Sequence, residues 1–329
     1  MRTMKAIVNT GPGQLAWQDR PMPVPTAGQV RIRTSACGIC ATDLEMIKGW
    51  DRTGFPAIPG HEWSGVVDVV GPGVDASLVG RPCVAENVLA DGGEVGFEHA
   101  GGYGQFLLTE AHNIRTLPQG FPMQEAALIE PLAVCVRAMR RLGLTQKRSA
   151  LVLGDGVIGL LMLKLLKLAG VQQVVLVGGR SVRLELAKAL GATDVINYHE
   201  QTKPLAQAVA TSDTASFDNV LEASGSASAM ELALQVAARG GKVLVIGDYG
   251  PARANFPWNH LLHRELELIG SNASAGAWDE AVQLAVSGTV PLGRLISRCV
   301  PASRFAEAVD LVRGNREIVK VVLNWSSEA

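Results

Sequence analysis

Hydrophobic and polar residues alternate in short runs over residues 1–123 of the chain. Runs with the two-residue period of a β-strand lie at 5–9, 29–36, 64–70 and 104–109. Clusters of glycine or proline separate these runs at 11–13, 71–73 and 92–93, as expected of turns. The pattern predicts an antiparallel, barrel-like β domain.

The pattern changes after Pro122, where helical spacing alternates with single apolar runs. Predicted strands lie at 150–153, 174–177, 194–197, 219–223, 242–246 and 266–270, with helical patterns such as 160–168 and 181–190 between them. Six strands joined by crossover helices indicate an α/β domain with a doubly wound parallel sheet over 124–270. Residues 271–329 hold helical patterns at 278–287 and 305–313 and a strand-like run at 318–323. We expect this tail to return to the first domain.

Length and charge limit the classes of function. The chain has 329 residues, which fits two domains, and 30 basic residues against 31 acidic ones. Because it has no basic run, nucleic acid is not expected as a partner. Without a signal-like start or a membrane-spanning apolar stretch, we expect no membrane association and a cytoplasmic protein. Five scattered cysteines do not make a disulfide framework.

A glycine fingerprint, Gly154-Asp155-Gly156-Val157-Ile158-Gly159, stands between a predicted strand and a helix. In a dinucleotide site, Gly154 permits the tight turn, Gly156 lets the backbone approach the pyrophosphate, and Gly159 lets the helix pack on its strand. The helix N-terminus favours the phosphates. Asp155 must point away from a bound pyrophosphate, since the two would repel each other. A glycine turn without a ligand is the alternative interpretation.

The end of the second strand of this sheet indicates which nicotinamide cofactor is used. NAD-binding chains carry an acid there for the ribose 2′-hydroxyl, but this chain has Gly178 and Gly179 followed by Arg180. Arg180, with Arg183 one helical turn later, offers donors suited to a 2′-phosphate. The sequence therefore predicts a preference for NADP(H), and Gly178→Asp is expected to reverse it. An ordinary exposed arginine at a helix start is the alternative for Arg180.

Metal-ligand chemistry is concentrated in two nearby segments, Gly38-Ile39-Cys40-Ala41-Thr42-Asp43 and Gly60-His61-Glu62-Trp63-Ser64-Gly65. A thiolate, an imidazole and a carboxylate form a typical three-ligand zinc site, with a fourth position for a water or a substrate oxygen. Thr42 offers a hydroxyl able to relay a proton. Asp43 offers a carboxylate able to orient a ligating imidazole.

Simpler interpretations of these residues exist. Cys37 and Cys40 form a C-x-x-C, which could be half of a structural zinc site or a redox pair. No second C-x-x-C completes a four-thiolate site. His61 and Glu62 taken alone would be typical of a turn histidine and a surface carboxylate. A catalytic metal together with a dinucleotide favours hydride transfer at a carbon that bears oxygen.

The chain resembles the zinc-containing medium-chain dehydrogenases/reductases, in the branch of polyol and threonine dehydrogenases. The resemblance covers nearly the whole chain and rests on Cys40-Ala41-Thr42-Asp43, Gly60-His61-Glu62, Leu128-Ile129-Glu130-Pro131-Leu132-Ala133 and the glycine fingerprint. It implies a GroES-like β-barrel catalytic domain over 1–123, completed by 271–329. It also implies a Rossmann domain over 124–270.

The resemblance implies roles for individual residues. Cys40 and His61 would be zinc ligands, and Glu62 or Glu130 would complete the set, directly or through water. Thr42 would take the substrate proton, and Asp43 would steady the histidine.

Two departures from the family change these expectations. Many relatives bind a second, structural zinc through four closely spaced cysteines, and this chain has no such cluster after Cys83. We therefore expect one catalytic zinc per chain and no structural zinc. The relay histidine of many relatives is also missing, and Glu45 stands near its place.

These observations predict a zinc-dependent, NADP-preferring dehydrogenase or reductase acting on a small alcohol, polyol or ketone. The alternatives are a zinc-free reductase of the quinone or enoyl type on the same fold, and an NAD-dependent polyol or threonine dehydrogenase. A nucleotide-sensing protein without catalysis would need a broken ligand set, and the motifs are intact. A homo-oligomer, either a dimer or a tetramer, is also expected.

Overall fold

A computed structural model describes residues 2–50, 52–210 and 216–326. The chain divides into two compact units. The first comprises Met1–Pro131 and Trp278–Ala329, and the second comprises Leu132–Ala277.

The first unit is mainly β. Its strands are β1 (Thr3–Gly11), β2 (Gln14–Pro21), β3 (Gln29–Gly38), β4 (Trp63–Val70), β5 (Pro82–Ala85), β6 (Phe106–Glu110), β7 (Ile114–Thr116), β14 (Ile296–Pro301) and β15 (Lys320–Asn324). Its helices are α1 (Ala41–Lys48), α2 (Met123–Ala126), α9 (Trp278–Val286) and α10 (Phe305–Gly314). The helix α3 (Ile129–Leu142) begins at the end of this unit's first segment.

A seven-stranded sheet organises the first unit, in the order β14-β15-β3-β4-β5-β7, with β6 paired to β3. Strands β1 and β2 form a separate antiparallel pair. The pairings are antiparallel as predicted, except that β14 and β15 run parallel. Because β15 lies beside β3, the C-terminal segment completes the sheet next to the segment that carries Cys40. Alternate residues of β3, including Val30 and Ile32, enter a core that also holds Trp63 and Leu323.

The second unit alternates strands and helices. Its strands are β8 (Ser149–Leu153), β9 (Gln173–Gly178), β10 (Asp194–Asn197), β11 (Phe217–Glu222), β12 (Ala237–Val245) and β13 (Glu267–Gly270). Its helices include α4 (Val157–Leu168), α5 (Ser181–Leu190), α6 (Leu205–Val209), α7 (Ala227–Val236) and α8 (Trp258–Arg264).

All strands of this sheet are parallel, in the order β10-β9-β8-β11-β12-β13. This confirms the predicted doubly wound α/β sheet. Every residue of β8 is buried, as expected for a central strand covered on both faces. The glycine fingerprint follows β8 at its carboxyl end, which is where such sheets bind ligands.

The local pattern found most strands but not all. Strands β2, β5, β7 and β14 were not predicted. None of the residues of β2 is fully buried, so its sequence lacks a clear apolar alternation. Among the described helices, none combines the length and apolar character needed to cross a membrane.

Candidate metal centre and nucleotide site

The thiolate, imidazole and carboxylate singled out in the sequence come together in the first unit. One ligand atom from each of Cys40, His61 and Glu62 lies within 4.8 Å of the other two. Cys40 follows β3 and precedes α1, and the other two residues directly precede β4. Because β3 and β4 are antiparallel neighbours, the end of one strand meets the start of the other. The sheet therefore assembles the cluster from segments twenty residues apart.

Asp43 supports two members of this cluster. One of its oxygens, Oδ2, accepts a hydrogen bond of 2.8 Å from the backbone N–H of Cys40, at the start of α1. Its other oxygen, Oδ1, lies 3.3 Å from Nδ1 of His61. With Nδ1 turned to this buried carboxylate, Nε2 is the ring nitrogen available to a metal. Thr42 lies close by, with its hydroxyl oxygen 3.7 Å from the Cys40 sulfur.

Lys320 forms a buried ion pair with Glu62. Its Nζ donates to both carboxylate oxygens at 2.7 Å and to the carbonyl of Ile39 at 3.1 Å. The two charged side chains are only 5% and 2% exposed. Sequence interpretation did not single out Lys320. The sequence does contain a signal that could have found it, namely a lysine inside the apolar run 318–323. A charge in such a run needs a buried partner of opposite charge.

The charges around the cluster favour a cation. Burial alone would lower the pKa of His61, but the Asp43 carboxylate and the Cys40 thiol outweigh it and raise that pKa well above its usual value. Burial and the negative charges of Asp43 and Glu62 likewise raise the pKa of the Tyr103 hydroxyl. A site that disfavours additional negative charge and holds S, N and O donors fits Zn²⁺.

Glu130 is a second acid beside this cluster. Its carboxylate does not belong to the group of three ligand atoms. Burial raises the pKa of Glu130 to about 7. The charge of His61 lowers this pKa, and the charge of Glu62 raises it. Glu130 can therefore hold or release a proton near neutral pH.

Phe97 shields one side of His61, with ring centroids 4.9 Å apart. The guanidinium of Arg52 lies 4.4 Å from the centroid of the Phe97 ring. Arg52 also pairs with Glu94 at 2.7 Å and with Glu98 at 2.6 Å. The segment 94–98 was not singled out from the sequence, because its contacts with Arg52 join residues more than forty positions apart. The aromatic ring limits the approach of water to the imidazole from that side.

In the second unit, the glycine fingerprint adopts the strand–turn–helix geometry that a dinucleotide requires. Gly154 has a φ of 120°, which favours glycine. A Cβ on Gly159 would lie 2.0 Å from the carbonyl oxygen of Gly154, so only glycine fits this contact. A Cβ on Gly156 would meet nothing within 4 Å, which leaves its backbone open to a ligand. Val157 and Ile158 then open α4, whose N-terminus suits phosphate.

Asp155 points away from the open side of the fingerprint, as a pyrophosphate site needs. Its Oδ2 accepts the backbone N–H groups of Gly179 and Arg180, at 2.9 and 3.0 Å. Its Oδ1 lies 3.5 Å from Nη1 of Arg183 and 3.9 Å from Nη1 of Arg180. Arg180 also donates to the Tyr198 hydroxyl at 3.2 Å. Both arginines therefore meet at the turn after β9.

The expectation that Gly178→Asp would reverse cofactor preference needs correction. A Cβ on Gly178 would lie 2.6 Å from Cβ and 2.7 Å from Oδ2 of Asp155. The position that an added acid would occupy is already filled by a carboxylate. The substitution would create both a clash and a repulsion between like charges.

Each of the two units contains a segment that matches a model of a known protein family. A family model described as the alcohol dehydrogenase GroES-like domain matches residues 26–119. A second model, described as zinc-binding dehydrogenase, matches residues 157–287. Among curated proteins, the D-arabitol-phosphate dehydrogenase of Enterococcus avium is 29% identical over 99% of this chain and 99% of its own.

Solved structures show the same fold. A short chain alcohol dehydrogenase (rspB) from Escherichia coli CFT073, complexed with NADH, has a TM-score of 0.92 at 25% identity. The match covers 99% of this chain and 100% of that one. A putative zinc-binding dehydrogenase from Sinorhizobium meliloti 1021, bound to NADP, has a TM-score of 0.91 at 25% identity and covers 98% of this chain and 100% of its own. Since the two family models match segments of both units and these relatives align from end to end, the chain belongs to the zinc-type medium-chain dehydrogenases/reductases of the alcohol and polyol kind.

Proposed function

We propose that this protein transfers a hydride between a secondary alcohol or polyol, or the corresponding ketone, and NADP(H), with one catalytic zinc per chain. The observation that carries the proposal is the cluster of ligand atoms from Cys40, which is half-buried, and from His61 and Glu62, which are buried. The polyol class is supported by the relative named D-arabitol-phosphate dehydrogenase. A zinc ion in such a site would act as a Lewis acid on an oxygen of the substrate.

The chain's own residues have separate tasks in this proposal. Cys40, His61 and Glu62 would hold the metal, and Glu130 is the alternative carboxylate that the family resemblance implies. Asp43 would fix the His61 ring with Nε2 toward the metal, since its Oδ1 lies 3.3 Å from Nδ1.

The test is a panel of polyols, amino alcohols and ketones assayed with NADP(H) and NAD(H), before and after zinc removal by a chelator. We expect turnover of a secondary alcohol or ketone that disappears with the zinc and returns when zinc is added back. Full turnover by the zinc-free protein would instead favour the quinone or enoyl type of reductase.

Thr42 is proposed to accept and pass on the substrate proton. Thr42→Val keeps the size of the side chain but removes the hydroxyl, so we expect kcat to fall about 10²–10⁴-fold while zinc content and cofactor affinity stay unchanged. Lys48→Gln is the matched control at the other end of the same helix, because its side chain is 62% exposed. It should leave kcat unaltered. Normal turnover in Thr42→Val would remove Thr42 from the proton path.

Cofactor preference is proposed to depend on Arg180, with Arg183 as a second contact. A charge-assisted hydrogen bond contributes about 1.5–3 kcal/mol, so Arg180→Ala should lower kcat/KM for NADP about ten- to a hundredfold and change the value for NAD little. Arg239→Ala, at an exposed arginine of the same unit, serves as the control. A wild-type protein that prefers NAD would contradict the assignment.

A further inference from the structure

The turn after β9 contains no acid of its own, yet a carboxylate lies beside it. Gly178, Gly179 and Arg180 form the turn, and Asp155 enters it from the fingerprint, 24 positions earlier. Asp155 is 5% exposed. A buried carboxylate stays ionised at low cost only when donors surround it.

The partners of Asp155 lie on this turn and on the helix that follows it. Two backbone N–H groups of the turn donate to Oδ2, and guanidinium groups of Arg183 and Arg180 lie 3.5 and 3.9 Å from Oδ1. These contacts connect the end of β8 to the end of β9. They hold the turn in one conformation and both arginines on the same side of it.

The turn also depends on the absence of side chains next to Asp155. A Cβ at Gly178 would overlap the carboxylate. A Cβ at Gly179 would lie 2.5 Å from the Tyr198 ring. Gly178 therefore fits against Asp155, and Gly179 fits against Tyr198. The shape of this turn thus depends in part on Asp155, which comes from a different segment of the chain.

We propose that Asp155 is a positioning residue for recognition of the substituent at the adenosine 2′ position. It fixes the turn 178–183 and presents Arg180 and Arg183 together, so that a 2′-phosphate meets two ordered guanidinium groups. This inference rests on the proposed preference for NADP(H). Asp155 acts through the arginines and does not itself contact the 2′-phosphate, from which a carboxylate would be repelled.

Two adenosine fragments test this inference without catalysis. Adenosine 2′,5′-bisphosphate and 5′-AMP differ only in the 2′-phosphate, so the ratio of their dissociation constants measures recognition of that group. In isothermal titration calorimetry of the zinc-loaded protein, the Kd for 5′-AMP should exceed the Kd for the bisphosphate about tenfold or more. We expect Asp155→Ala to lower this ratio about tenfold. Asp155→Asn, which keeps the size but removes the charge facing the arginines, should lower it about threefold or more.

Asp218→Ala is the matched control. Asp218 is 3% exposed, accepts the backbone N–H of Ser149 at 3.2 Å and pairs with Arg148 at 2.7 Å. It is the second residue of β11, beside the amino end of β8 and therefore at the opposite edge of the sheet from the fingerprint. This variant should lose stability as Asp155→Ala does but keep the wild-type ratio, which separates a positioning role from a purely structural one.

The outcomes distinguish the two proposals. A wild-type ratio near one would overturn the NADP preference, and the role of Asp155 with it. A high wild-type ratio that stays within about twofold in the folded Asp155 variants would overturn the positioning role alone. An equal fall in the Asp218→Ala control would also overturn it.

Discussion

Cys40→Ala is expected to abolish both zinc binding and turnover. Among the residues that the structure describes, three side chains supply the cluster of ligand atoms, and the thiolate is the strongest zinc ligand of the three. The purified wild-type protein should hold about one zinc per chain, and the variant close to none, as measured by elemental analysis. The fold should survive, because the sheet of the first unit is held together by its own core and not by the metal.

Cys37→Ala is the informative control, since Cys37 is the other sulfur of the C-x-x-C. It is fully buried in the core of the first unit, and burial raises the pKa of its thiol well above the usual value. An inert, protonated thiol of this kind should not bind zinc. We expect Cys37→Ala to keep its zinc and its activity, with a modest loss of stability. Two zinc ions per wild-type chain, or loss of zinc in Cys37→Ala, would contradict a single site centred on Cys40.

The sequence predicted the second unit more completely than the first. Its strands are short apolar runs that stand between helices of clear period, so the predicted strand 194–197 and helix 181–190 coincide with β10 and α5. In the first unit, strand β7 has only three residues and β14 has a single buried residue. Short or half-exposed strands are stabilised by the neighbours they pair with, and the local sequence does not show which these are.

Motif spacing predicted that Cys40, His61 and Glu62 would lie together, but it could not identify the residue that neutralises Glu62. Glu62 and its partner Lys320 are 258 positions apart, and they meet only because β15 pairs with β3. For the same reason, the sequence did not show which groups the Asp155 carboxylate contacts. Its contacts with Gly179 and Arg180 depend on two parallel strands lying side by side. Contacts of this kind follow from topology, which a one-dimensional pattern specifies only in outline.

Lys320→Met should destabilise the metal-free protein by about 3–5 kcal/mol, because it leaves Glu62 as an uncompensated buried charge. In the wild type, burial would lower the pKa of Lys320, but the Glu62 carboxylate outweighs burial and holds that pKa above its ordinary value. The raised pKa means that Lys320 stays charged throughout the neutral range, and that on the alkaline side its contribution to stability is lost only at strongly alkaline pH. Urea unfolding at pH 7 measures the difference.

An exposed ion pair, a second substitution at Glu62 and added zinc serve as controls for Lys320→Met. Lys5 forms a similar short contact with Asp19, at 2.8 Å, but the two side chains are 42% and 59% exposed. Lys5→Met should therefore cost less than about 1 kcal/mol. In the Lys320→Met background, Glu62→Gln should recover part of the loss, because it removes the unpaired charge. Zinc should reduce the effect of Lys320→Met as well, since a bound cation would compensate Glu62 in place of the lysine. If zinc left the loss unchanged, Glu62 would lie outside the reach of the metal, and Glu130 would be the carboxylate that completes the site.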